Sequence, residues 1–150
     1  MQHKTLYFLF VLISLCACNS SKVGNSYSKT RVPSDLPELK TDQSWTKIAL
    51  ELPKENNEVT LEIWGEKIVK VDCNKHKLGG SFVKQKSKQN VYYRFSGNGN
   101  LLSTRMGCMN QKKTVETIQS SKETVVYTRK NSLYVLHDIN INIKYQIVKN

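Results

Sequence analysis

The sequence predicts an all-β fold, an antiparallel β-sandwich or barrel of about seven strands carrying one disulfide. Three features carry that expectation. Apolar and polar residues alternate with period two through most of the chain after Trp45, turn-forming residues separate the alternating runs, and no stretch shows helical periodicity of comparable quality. Ile48, Leu50 and Leu52 begin the pattern, and Val59, Leu61 and Ile63 repeat it. Ile68, Val69 and Val71 lead into Cys73, and the β-branched and aromatic run Val91 to Phe95 follows. Thr124 to Thr128 and Leu133 to His137 are further runs, parted by Arg129-Lys130-Asn131-Ser132. The last run is the most regular: Ile139, Ile141, Ile143, Tyr145 and Ile147 alternate with Asn140, Asn142, Lys144 and Gln146. Asn56-Asn57, Gly79-Gly80 and Ser96-Gly97-Asn98-Gly99-Asn100 supply turns.

With 150 residues, 39% of them hydrophobic, the chain has material for one domain and an export segment, but not for two domains. Its formal net charge of +11 raises anionic partners. The lysines are dispersed, however, at Lys67, Lys70, Lys75, Lys77, Lys84, Lys86, Lys88, Lys112 and Lys113, without a recognition helix or interleaved aromatics. They read as a solvated cationic surface, and no nucleic-acid partner is expected.

Residues 1–17 read as a signal peptide. His3 and Lys4 precede an apolar run from Leu6 to Leu15, too short to cross a bilayer, which takes about 20 residues. Leu15-Cys16-Ala17-Cys18 is similar to a bacterial lipobox with Cys18 as the lipid-modified first mature residue; Cys16 is an uncommon occupant of that box, and cleavage without lipid is the alternative. Polar residues 18–43 then read as a tether, and 44–150 as the folded domain. The expected location is the periplasm, with membrane attachment through Cys18 where lipid is added. A lipidated Cys18 leaves Cys73 and Cys108 for a single bridge, the default in an exported chain; the rival is a disulfide that uses Cys18. His76 and His137 do not complete a metal-ligand set.

An enzyme of this size needs a constellation of reactive groups. The chain has no nucleophile elbow, no HExxH and no phosphate-cradling glycine loop. Asp72 and Asp138 stand as isolated acids, and His76 reads as structural or surface. Binding is favoured over catalysis, with no cofactor and no metal.

Val71-Asp72-Cys73-Asn74-Lys75-His76-Lys77-Leu78-Gly79-Gly80 resembles the VDCN-x-H-x-LGG signature of the ecotin family of periplasmic serine-protease inhibitors. Ser103-Thr104-Arg105-Met106-Gly107-Cys108 looks like that family's reactive-site loop, and Tyr92-Tyr93 and Lys144-Tyr145 also fall where the family has them. The resemblance spans about Trp45 to Asn150. It implies a serine-protease inhibitor acting by substrate mimicry through Ser103, Thr104, Arg105, Met106 and Gly107. Arg105 would fill the protease's primary pocket, Arg105–Met106 would be the scissile bond, and Cys108 would clamp the loop to Cys73. An arginine suits an acid on a pocket floor, which points to trypsin-like serine proteases as partners.

The match also has departures. Family members carry a second protease-contacting surface on two further loops. An aromatic cluster expected on one is replaced by Lys84 to Asn90 (KQKSKQN), while the other maps near Tyr127, Thr128, Arg129 and Lys130. Family dimers exchange a C-terminal arm; here Val148 stands where a tryptophan is expected and the chain reaches Asn150, so a weak homodimer is the expectation. A rival reading keeps the scaffold but turns its cationic face to polyanions or envelope components, without inhibiting proteases.

Overall fold

The computed structural model describes residues 32–97, 99–104, 108 and 112–148. Its strands are β1 (Gln43–Ile48), β2 (Glu58–Val71), β3 (His76–Leu78), β4 (Ser81–Lys86), β5 (Val91–Ser96), β6 (Leu101–Ser103), β7 (Thr114–Gln119), β8 (Glu123–Thr128), β9 (Leu133–Asp138) and β10 (Asn142–Ile147). The described chain is all-β, with ten strands rather than about seven. Val59 to Ile63 and Ile68 to Val71 are two parts of one 14-residue strand, β2. Four other strands escape the apolar pattern. β3 and β6 span only 3 residues each, too few to show a period. β4 and β7 close the ends of their sheets, and β7 buries only Ile118. An edge strand with little covered surface has no need of alternating apolar residues.

One sheet runs β1-β9-β5-β4, a second β10-β2-β7 with β8 also paired to β2, and β3-β6 form a small third ladder. Ile48, Phe82, Phe95 and Val135 from the first sheet meet Leu61, Ile63, Val125 and Ile143 from the second in one buried cluster. β7 and β8 follow β2 in succession, but the register slips between them: Ile63 faces Glu123, whereas Glu66 faces Gln119. The extra residue forms a bulge held by Ser120, whose N donates to Gly65 O and whose Oγ accepts from Gly65 N, each at 2.9 Å.

The expected antiparallel pairing has one exception: β5 and β9 run parallel, with Tyr92 opposite Tyr134 and Arg94 opposite Leu136. The chain between them passes through β6, β7 and β8, so no tight hairpin imposes an antiparallel partner. The final alternating run is also interrupted. Ile141 and Ile143 are buried, but Ile139 lies in the turn before β10 and is exposed, as is Ile147.

Residues 32–36, within the stretch expected to be a tether, pack on the outer face of the first sheet. Leu36 (7% exposed) joins Tyr92, Tyr134 and Leu136 in a second apolar cluster, bordered by Val32 and Trp45.

His137 lies inside this construction. Its Nδ1 lies 2.9 Å from Asp138 O, which can only accept, so Nδ1 carries the proton. Nε2 therefore accepts from Thr46 Oγ1 at 2.8 Å, and the ring is neutral. Burial pushes its pKa below the ordinary 6.5. A group harder to protonate when folded loses stability as pH falls through its unfolded value. The thermal midpoint should therefore decline from about pH 6.5 downward, and His137→Gln should flatten that part of the profile in a melting series.

Candidate functional site

The segment around Cys73 and the segment around Ser103 are held together at several points. β3 pairs with β6, with His76 opposite Ser103 and Leu78 opposite Leu101. The ladder continues one residue beyond β6: Thr104 N donates to Lys75 O at 3.1 Å, and Lys75 N donates to Thr104 Oγ1 at 3.2 Å. Cys108 is bonded to Cys73, with Cα atoms 5.9 Å apart. Ser103, Thr104 and Cys108 are thus all tied to one base, residues 73–76. Arg105, Met106 and Gly107 lie outside the described residues.

A polar hub sits under this base. Asp72 Oδ1 accepts from Asn74 N, Asn74 Nδ2 and His76 Nε2, each at 2.9 Å. Asn74 Nδ2 also lies 3.4 Å from Cys108 Sγ, linking the hub to the bridge. The His76 side chain is 9% exposed, and its Nε2 carries the proton donated to Asp72. Asp72 is therefore no isolated acid, and His76 is structural. The spacing Asp72-x-Asn74 suits an aspartate that accepts from the backbone two residues on, but nothing local brings His76 to the same carboxylate.

The approach to the base is set by a glycine turn. Asn100 N donates to Gly97 O at 3.2 Å, and Gly97 and Gly99 both take positive φ, 117° and 61°. A Cβ on Gly97 would stand 2.6 Å from Gly80 Cα, so two chain segments meet there at a distance only glycine permits. From this turn β6 runs outward with Leu102 57% exposed, on the strand that leads to Thr104.

The two segments expected to form a second surface also come together. Lys84, Gln89, Asn90, Tyr127 and Thr128 are among the residues lining one hollow of about 240 Å³. Their side chains are engaged differently. Tyr127 is 4% exposed, and its hydroxyl accepts from Leu50 N at 2.8 Å and donates to Leu50 O at 3.3 Å. The Arg129 guanidinium donates to the carbonyls of Leu52, Pro53 and Asn56, holding the loop before β2. Lys130 is exposed, and Thr128 is half-buried.

Residues 33–150 match the ecotin family, covering the disulfide, the β3–β6 ladder and both sheets. The chain belongs to the ecotin family. It is similar to an ecotin of Pseudomonas fluorescens, with 26% identity over 117 residues covering 74% of each chain. The ecotin family is one of protease inhibitors and not of enzymes, in keeping with the absence of a catalytic constellation in the sequence. The ecotin match begins at Pro33 and so takes in the segment that covers β5 and β9.

The hub is acid-resistant. The hydrogen bond from Asn74 N, followed by those from His76 and the Asn74 side chain, lowers the Asp72 pKa to about 2. A carboxyl that is more acidic folded than unfolded stabilises fully above its unfolded value near 3.8, and the contribution is lost as pH falls toward 2. The backbone amide resonance of Asn74, whose N–H donates to Asp72, should therefore hold steady down to about pH 4 and move below it. Asp72→Asn should shift that amide resonance at neutral pH; a variant indistinguishable from wild type in both ranges would contradict the hub.

Proposed function

We propose that the protein inhibits trypsin-like serine proteases by presenting residues 103–107 as an uncleaved or slowly cleaved substrate. Arg105 enters the primary pocket, and Arg105–Met106 is the bond offered to the nucleophile. The observation that carries this reading is the double attachment of the loop's base, through Thr104 to Lys75 and through Cys108 to Cys73. A segment held at both ends loses little further freedom when a protease binds it, and the ends of a cut bond stay close enough to rejoin.

The same reading gives Thr128 and Lys130 the accessible part of the second contact surface, with Tyr127 and Arg129 supporting them from behind. It places the protein in the periplasm, tethered to a membrane when Cys18 is lipidated, and allows a weak homodimer. The mass of the mature protein distinguishes a lipidated Cys18 from simple cleavage.

The test is a titration of the purified protein against trypsin-, chymotrypsin- and elastase-like proteases. Tight one-to-one inhibition of the trypsin-like enzyme, with weaker effects on the others, is expected. No inhibition of any of them would remove the proposal.

A further inference from the structure

The segment before β1 does more than cover an apolar face. Next to the buried Leu36, the Asp35 carboxylate reaches the turn between β4 and β5, more than fifty residues away in sequence. Its Oδ2 accepts from Ser87 Oγ at 2.5 Å and from Gln89 N at 3.1 Å, while Oδ1 accepts from Asn90 Nδ2 at 2.7 Å. Within the turn, Ser87 N donates to Asn90 O at 2.8 Å, and Asn90 N donates to Ser87 Oγ at 3.2 Å. The Ser87 hydroxyl thus joins the turn's internal bonds to the carboxylate outside it. The donation from Ser87, above all, holds the Asp35 carboxyl below its ordinary range. Hydrogen bonds to a charged acceptor are the stronger kind, and three on one carboxylate define its orientation.

The turn needs such a clamp. Ser87-Lys88-Gln89-Asn90 contains no apolar residue to anchor it, and a polar turn of this kind is ordered only by its hydrogen bonds. Gln89 and Asn90 also line the hollow shared with Tyr127 and Thr128, so the clamp fixes one wall of the second surface. Leu36 fixes the position of Asp35 in turn, since it is seated between Tyr92, Tyr134 and Leu136.

We propose that Asp35 is a positioning residue which locks the 87–90 turn into the second protease-contacting surface, making the N-terminal segment part of the inhibitory apparatus. This rests on the inhibitor reading above. Ordering the turn in advance spares the complex that cost on binding, so loss of the clamp weakens the complex without removing the primary contact.

The experiment compares wild type with Asp35→Ala, Asp35→Asn and Ser87→Ala in two readouts: amide exchange at Gln89 and the inhibition constant against a trypsin-like protease. Asp35→Ala should speed exchange at Gln89 by roughly tenfold and raise the inhibition constant several-fold. Asp35→Asn keeps one carbonyl acceptor and should recover part of both effects, a graded rescue that general destabilisation would not produce. Ser87→Ala should act in the same direction, and the Asp35→Ala/Ser87→Ala double variant should fall short of the summed effects. Unchanged exchange at Gln89 in Asp35→Ala overturns the clamp. Faster exchange with a wild-type inhibition constant overturns its role in binding. A wild-type protein that inhibits nothing, yet shows the exchange effect, overturns the inhibitor reading and leaves Asp35 only a structural part.

Discussion

Arg105→Glu should weaken inhibition of a trypsin-like protease by roughly a thousandfold, as expected when a desolvated charge pair becomes two like charges. The primary pocket of such a protease closes around the inserted side chain and excludes water. Arginine meets an acid on the pocket floor with two parallel hydrogen bonds, whereas glutamate would bring a second negative charge into the same enclosed space. The substitution should leave the fold intact. The base of the loop is held by Thr104 on Lys75 and by Cys108 on Cys73, and neither attachment uses residue 105. The melting temperature should therefore match wild type, which separates a lost pocket contact from a lost fold. Inhibition constants for the two proteins, measured side by side, decide the matter; equal values would sink the assignment of Arg105.

Replacing both bridge cysteines, as Cys73→Ser with Cys108→Ser, should lower unfolding stability by about 3–4 kcal/mol on the chain-entropy estimate for a loop of this length. The bridge joins residues 35 apart in sequence, so its removal frees a long stretch of the unfolded chain. Such a loss is a large fraction of the stability of a single domain. The effect on function should be more particular than on stability. Thr104 would still be held by the β3–β6 ladder, but the chain after Met106 would lose its tie to Cys73. A loop fixed at one end releases the new terminus after cleavage instead of holding it for resealing. The double-serine protein should therefore inhibit briefly and then be cut at Arg105–Met106, as seen by mass spectrometry over time. Stable inhibition without cleavage, together with an unchanged denaturation midpoint, would count against the clamp.

The strands that bury the most apolar surface were legible in the sequence, because burial on one face forces alternation. Leu61 and Ile63 in β2 and Ile141 and Ile143 beside and within β10 carry that signal, and all are in the core. β4 and β7 carry little of it. They lie at sheet edges, where lysine, glutamate and threonine on exposed positions cost nothing, so neither Ser81–Lys86 nor Thr114–Gln119 carries a sustained apolar alternation. The parallel pairing of β5 with β9 was equally hidden, since pairing between distant segments leaves no mark on either one. At the candidate site, the two cysteines and their motifs were visible, but the use made of Asp72, Tyr127 and Arg129 was not. Each has a side chain suited to an exposed role, and only its neighbours in space show that it is bonded inward.

By itself, then, the sequence determined the all-β class and membership of the ecotin family, because alternation and short motifs are local properties of the chain, while it made Cys73–Cys108 the default bridge and the structure decided it. Only the tertiary structure decided that a polar hub underlies the loop and that Asp35 grips a turn far along the chain. Those are bonds between residues brought together by folding, and a carboxylate's partners cannot be read from its own position in the chain.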